Sequence, residues 1–241
     1  MSFIKLTSQD NHQFDTYECK PESDALGSII VLHEIFGITP FIEEVCKKLS
    51  VKGYHTVAPA LYDRYERNLV IPYSEEGYEK ALISKQKALN WEQQLLDIDA
   101  TKRYLLNAGA SKIGIIGFSW GATLGWLAGC RLKNISCVVC YSGPHIFQFV
   151  NEVPKCAMLL HFADQDELVP LEQVMQIHEQ HPAVEIYNYP APHAFYCTGW
   201  KPRDLKEPEK AMQYYEPNLA KVADKRTEQF LHNIILKQTE F

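Results

Sequence analysis

The sequence predicts an α/β protein, with a mostly parallel central sheet covered by helices on both faces. Three observations carry this expectation. Runs such as Ser28-Ile-Ile-Val-Leu-His33 and Ala157-Met-Leu-Leu-His-Phe162 are apolar almost throughout, as in strands buried on both faces. Between such runs lie segments with apolar residues three and four apart, for example Ile42, Val45, Cys46 and Leu49. A glycine-flanked turn at residues 117–121 joins a strand-like run directly to a helix-like one. Strands alternating with helices give a parallel sheet with helices above and below.

Taken in order, Phe3 to Leu6 and Phe14 to Tyr17 alternate in polarity and suggest an antiparallel hairpin. Ser28 to His33 is the first buried strand. Phe41 to Val51 has helical spacing, and Tyr54 to Ala58 is the next strand. Glu75 to Asn107 is a long, mostly helix-forming stretch. Ile113 to Gly117 is a short buried strand, followed by a helix from Ser119 to about Arg131. Cys137 to Tyr141 and Ala157 to Phe162 are two more buried strands. Leu171 to Gln180 is helical, Val184 to Tyr189 is the last strand, and Pro217 to Lys237 is a final helix. No repeat, low-complexity run or Gly/Ser-rich linker divides the chain, so residues 1–241 are expected to form a single domain without a separate lid domain. Ligands of such sheets bind beyond the C-terminal ends of the strands. The chemistry is therefore expected in the loops after His33, Ala58, Gly117, Tyr141, Phe162 and Tyr189.

Composition narrows the function. Hydrophobic residues make up 46% of the chain, which argues against disorder. The net charge is −6, from 30 acids and 24 bases, and no basic stripe is present. Nucleic acid and membrane surfaces are poor partners for such a chain. There is no charged start followed by an apolar run, and no 18-residue apolar window, so neither a signal peptide nor a transmembrane helix is expected. Seven cysteines at irregular spacings suggest buried, reduced thiols and a cytoplasmic protein. Cys137 and Cys140 form a C-x-x-C, but in a strand-like run rather than at a helix start, which speaks against a redox or zinc role. No cluster has metal-ligand spacing, so no metal and no organic cofactor is expected.

The turn reads Gly117-Phe118-Ser119-Trp120-Gly121, a G-x-S-x-G between strand and helix. A nucleophile needs the apex of such a turn, and glycines let strand and helix approach closely around it. Its hydroxyl then stands at a helix N-terminus, where developing negative charge is favoured. A serine needs a base to take its proton. In this arrangement the chain order is Ser, acid, His. The acid is sought after a later buried strand, in Ala163-Asp-Gln-Asp-Glu-Leu-Val-Pro170, where Asp164, Asp166 and Glu167 compete. Asp166 is preferred because it directly precedes the helix-starting Leu-Val-Pro. Asp164 and Glu167 are then expected as helix caps. The base is sought after the last strand, where Pro190-Ala-Pro-His193 supplies His193. Of the other histidines, His33 sits beside the expected site and His145 follows a strand end, making both pocket candidates.

With these residues in view, the chain resembles the dienelactone hydrolase family of α/β-hydrolases. The matching segments are His33 to Gly37 (HEIFG), Ala58 to Arg64 (APALYDR), Ile116 to Ala122 (IGFSWGA), Phe162 to Pro170 (FADQDELVP) and Pro192 to Cys197 (PHAFYC), in the right order. The resemblance implies an α/β-hydrolase fold and a Ser119, Asp166 and His193 triad. It implies an oxyanion hole from the backbone N–H groups of Ile35 and Trp120. It also implies a role for Glu34 in activating the nucleophile when substrate arrives. Phe36 and Tyr62, within the same segments, are implied as neighbours of the site. Glu34 is expected to point into the site and to pair with a cation or with Ser119.

The chain departs from the family pattern twice. Family members often carry cysteine where this chain has Ser119. Dienelactone-cleaving members hold the substrate carboxylate with arginines, one of them a few residues past the histidine. Here Ala194 to Lys201 contain none. Lys201 and Arg203 are the nearest cations, and Arg64 and Arg67 could serve from the loop after Ala58.

The expected function is hydrolysis of small carboxylic esters or lactones through an acyl-enzyme, by a monomer or weak dimer acting on a small-molecule substrate. A thioesterase or peptidase would use the same triad, since one sequence does not show the leaving-group pocket. A third possibility is a binding protein of this fold with slow turnover, because fold does not fix function.

Overall fold

A computed structural model describes residues 1–200 and 214–236. Lys201, Arg203 and the end of the expected final helix at Lys237 lie outside the described residues. Eight strands form one sheet: β1 (Ser2–Thr7), β2 (Gln13–Cys19), β3 (Gly27–Leu32), β4 (Tyr54–Pro59), β5 (Ile113–Phe118), β6 (Cys137–Tyr141), β7 (Ala157–Ala163) and β8 (Glu185–Tyr189). Their spatial order is β1-β2-β4-β3-β5-β6-β7-β8. β1 and β2 form the expected antiparallel hairpin, β2 runs antiparallel to β4, and every later pairing is parallel. Each residue of β3, β4, β5 and β6 is buried, which is why β3, β5 and β6 read as nearly unbroken apolar runs; β4 buries His55 and Thr56 as well.

The helices are α1 (Pro40–Val51), α2 (Glu75–Ala88), α3 (Trp91–Asn107), α4 (Trp120–Arg131), α5 (Leu171–Gln180) and α6 (Pro217–Leu231). Alternation along β5 shows which face each covers. Ile116 and Phe118 share a cavity with residues of α1 and α6, whereas Ile115 packs under Gly125 of α4. Helices α1 and α6 therefore cover one face and α4 the other, with α3 beside it. α4 is buried from Trp120 through Cys130, sandwiched between sheet and helix, so it lacks a polar stripe.

Three elements differ from expectation. The stretch from Glu75 to Asn107 is two helices, because Asn90 is extended and its side chain accepts from the Gln93 N–H as the N-cap of α3. The last helix ends its regular part at Leu231 and continues as a π turn over His232–Leu236. A short 3₁₀ turn at Ile146–Phe149 follows β6 and was not legible as an element. All seven cysteines are free, six of them buried. Among the described residues no helix is long and apolar enough to cross a membrane.

Candidate active site

Ser119 sits at the turn between β5 and α4 with φ 48° and ψ −111°, a backbone conformation that costs a non-glycine residue about 1–3 kcal/mol. The turn is tight enough to dictate its flanking residues. A Cβ on Gly117 would lie 2.2 Å from the Gly121 carbonyl oxygen, and a Cβ on Gly121 would lie 2.3 Å from that of Leu32. The Ser119 N–H donates to the Tyr141 carbonyl at the end of β6 at 2.8 Å, which ties the turn to the neighbouring strand.

Two loops bring the other groups to Ser119. The loop after β7 carries Asp166, and the loop after β8 carries His193. They are laced together by Asp164 N–H to Tyr189 O at 2.9 Å and Gln165 N–H to Ala191 O at 3.1 Å. His193 Nδ1 lies 2.6 Å from Asp166 Oδ2, and His193 Nε2 lies 2.8 Å from Ser119 Oγ. The second Asp166 oxygen accepts the Leu168 N–H at 2.9 Å, so the carboxylate is fixed at both oxygens. A carboxylate only accepts, which assigns the imidazole proton to Nδ1 and leaves the Nε2 lone pair facing the serine hydroxyl. Ser119, Asp166 and His193 are all buried. Asp164 and Glu167 are exposed, and neither caps α5, whose N-cap is Pro170 without a side-chain bond.

Glu34, Ile35, Phe36 and Trp120 line one cavity with Ser119 and His193. Trp120 is the first residue of α4, so its N–H is among those a helix leaves without an internal partner. Ile35 stands opposite, in the loop after β3. That loop is pinned from behind. The Tyr62 hydroxyl donates to the Ile35 carbonyl at 2.8 Å. His33 Nδ1 donates to the Glu34 carbonyl at 2.6 Å, and His33 Nε2 accepts the Leu61 N–H at 3.1 Å. Burial lowers the His33 imidazole to about 4, so it stays neutral in this bracket. His33 and Tyr62 line a separate cavity and hold the loop in shape instead of lining the site.

Glu34 is buried, and among the described residues it pairs with neither a cation nor Ser119, contrary to expectation. Its Oε1 accepts from the Tyr73 hydroxyl, and Tyr73 in turn accepts from Thr39 Oγ1 at 2.8 Å. Its Oε2 is buried without a partner. The expected cations are committed elsewhere. Arg64 grips Asp97 through two nitrogens, both at 2.8 Å, and reaches Asp10 at 2.7 Å. Arg67 bonds the Gln13 carbonyl at 2.9 Å and Asp15 at 3.1 Å. Burial raises the Glu34 carboxyl to about 7, against the opposing hydrogen bond from Tyr73. A buried acid raised in this way keeps a proton that the unfolded chain has already released above its ordinary value of 4.5. Stability then falls as pH rises from about 4.5 to about 7, by on the order of 3 kcal/mol in total. Glu34→Gln is expected to flatten that part of the stability profile, read as urea midpoints at pH 5 and pH 8. A variant that loses as much stability as the parent over this interval would place the proton elsewhere.

Several residues of the cavity wall went unread in the sequence. Tyr78, Leu82 and Lys85 present one side of α2 to it, and Tyr196, Cys197 and Trp200 close it from the loop after β8. The i, i+4, i+7 spacing of the α2 stripe was there to be read, but a helix stripe does not say what it faces. His145 lies behind Lys85, with its Nε2 2.6 Å from the Lys85 ammonium.

Comparison with known proteins adds to this geometry. The model of the dienelactone hydrolase family matches residues 14–235. A carboxymethylenebutenolidase of Pseudomonas putida is 27% identical over 204 residues, covering 81% of this chain and 86% of its own. Carboxymethylenebutenolidase 1 of Cupriavidus pinatubonensis is 25% identical over 200 residues, covering 80% and 85%. Among solved structures, an esterase of Pyrococcus furiosus superposes with a TM-score of 0.69 at 18% identity, over 97% of this chain and 92% of that one. At that identity the likeness shows the fold, which is that of the α/β-hydrolases.

Proposed function

The chain belongs to the dienelactone hydrolase family, and from that premise we propose that it hydrolyses small carboxylic esters or lactones, with Ser119 as nucleophile, His193 as base and Asp166 as its orienting acid. The observation that carries this reading is the unbroken chain from Ser119 Oγ through His193 to Asp166, at 2.8 Å and 2.6 Å.

His193 Nε2 takes the hydroxyl proton as Ser119 Oγ attacks the ester carbonyl. Asp166 stabilises the imidazolium so formed. The carbonyl oxygen, now an oxyanion, accepts from the backbone N–H groups of Ile35 and Trp120. One such donor lowers the barrier by roughly 3–4 kcal/mol. The imidazolium protonates the departing alkoxide, which leaves Ser119 acylated. Water, deprotonated by the same imidazole, attacks the acyl group and the acid departs. The strained turn helps because it fixes Oγ at the cavity floor without loss of side-chain freedom at the moment of reaction.

A fluorophosphonate reagent tests the nucleophile, and a panel of acyl esters, lactones and thioesters tests the substrate class. The expected result is a single adduct on the peptide holding Ser119 and turnover of the oxygen esters. Turnover of thioesters alone would assign the triad to a thioesterase, and absence of the adduct would remove Ser119 from the chemistry.

A further inference from the structure

We propose that His161 is a positioning residue, which ties the strand ends that hold the loops of Ser119, Asp166 and His193 into one rigid frame. The inference rests on the triad reading of those three residues. His161 lies in β7 within an otherwise apolar run, paired in register with Tyr141 of β6 and Tyr187 of β8. It is fully buried, and both of its ring nitrogens are bonded. Nδ1 lies 2.8 Å from the Tyr189 hydroxyl at the end of β8, and Nε2 lies 3.0 Å from Thr227 Oγ1 on α6. Thr227 Oγ1 in turn lies 2.8 Å from the Tyr141 hydroxyl at the end of β6. Two further bonds return to α6. Arg226 Nη1 donates to the Tyr189 hydroxyl at 3.0 Å, and the Tyr141 hydroxyl donates to Asp224 Oδ1 at 3.4 Å.

The two ends fix the sense of this chain, because arginine only donates and a carboxylate only accepts. Tyr189 gives its own proton to His161 Nδ1, and His161 donates from Nε2 to Thr227. Thr227 then donates to Tyr141, and Tyr141 to Asp224. Every hydroxyl and both imidazole nitrogens are satisfied in this sense. Burial, followed by the Arg226 charge, lowers the His161 imidazole to about 3, so the ring stays neutral and keeps its accepting nitrogen. A buried polar network satisfied throughout rigidifies what it joins. The backbone carbonyls of the same three strand residues reach the triad's loops. Tyr141 O accepts the Ser119 N–H at 2.8 Å, and His161 O accepts the Ser142 N–H at 2.8 Å. Tyr189 O accepts the N–H groups of Asp164 at 2.9 Å and Ala191 at 2.8 Å. One imidazole thus sets the spacing between the turn of Ser119 and the laced loops of Asp166 and His193. An apolar side chain at 161 would fill the strand but leave Tyr189 and Thr227 without this partner.

The test separates positioning from folding by counting sites. In His161→Phe, the end point of fluorophosphonate labelling gives the number of folded sites, and the rate of labelling reads their geometry. That rate and kcat/KM on 4-nitrophenyl acetate, both taken per labelled site, are expected to fall together by about ten- to hundredfold. His161→Gln, whose amide supplies one acceptor and one donor, is expected to recover part of both. If His161→Phe melts at a lower temperature but each labelled site reacts at the parent's rate, His161 is structural only and the proposal is overturned. Should His161→Phe not fold, Tyr189→Phe and Thr227→Val each remove one link. Each is expected to slow labelling about three- to tenfold, and the parent's rate in both overturns the proposal. A crystal structure of the same variant gives a readout independent of turnover. The separation of Ser119 Oγ from His193 Nε2 is expected to pass about 3.5 Å, beyond a hydrogen bond. A separation still at the parent's 2.8 Å overturns the proposal. If the parent itself takes no adduct, the hydrolase reading fails, and this distance still decides the role of His161.

Discussion

Replacing Ser119 by alanine is expected to lower ester hydrolysis by about four to six orders of magnitude while leaving the fold intact. Among the described residues the hydroxyl is the side-chain oxygen that bonds His193 Nε2, so its removal leaves the base with nothing to activate. The size of the loss follows from the way such groups act as a unit. Once the nucleophile is gone, the orienting carboxylate and the base contribute little, and what remains is oxyanion stabilisation and substrate binding. Alanine keeps the Cβ, so the backbone strain at φ 48° is unchanged and the melting temperature should move little. The measurement pairs kcat/KM on 4-nitrophenyl acetate with a thermal melt. Turnover near the parent's in a folded variant would exclude Ser119 as the nucleophile. Ser119→Cys extends the test, because a cysteine often stands at this position in the family. Retained lactone hydrolysis in that variant would mean that the surrounding groups serve a thiolate as well as a hydroxyl.

The parts of the site that were legible in the sequence are those specified by local backbone rules. A turn with two glycines between a buried strand and an apolar helix has few other uses, and the Cβ distances at Gly117 and Gly121 show why no other residue fits there. The positions of Asp166 and His193 follow from where buried strands end, and strand ends are visible as breaks in apolar runs. The contacts that escaped are long-range and electrostatic. Glu34 was expected beside a cation or Ser119, but its partner is Tyr73, 39 residues away. Lys85 and His145 are 60 residues apart, and Arg64 and Asp97 are 33 apart. Nothing in periodicity or spacing says which carboxylate an arginine will choose. That choice depends on which side chains the fold desolvates together. The cap at Asn90 is a different kind of miss. Its signal was local, a helix-capping residue inside a helix-forming stretch, and the surrounding helix formers masked it.

The same distinction between local signal and tertiary outcome governs the loop after β7, where two aspartates stand two residues apart. Asp166→Asn is expected to reduce kcat by roughly a thousand- to ten-thousandfold. Asparagine can still accept the Leu168 N–H with its oxygen, so the loop keeps its anchor. Its amide nitrogen then faces His193 Nδ1 and must donate to it. That reverses the imidazole tautomer, moves the proton to Nε2, and turns an N–H instead of a lone pair toward Ser119 Oγ. The base is lost although every side chain stays in place. Asp164→Asn is the control. Its carboxyl is exposed and its backbone N–H, which the substitution keeps, makes the bond to the Tyr189 carbonyl. It should leave kcat within about twofold of the parent, as surface substitutions generally do. If the two variants exchanged their effects, Asp164 would have to displace Asp166 from His193 during turnover. The loop would then have to break its lacing to Tyr189 and Ala191, and a crystal structure of the acyl-enzyme would show that rearrangement directly.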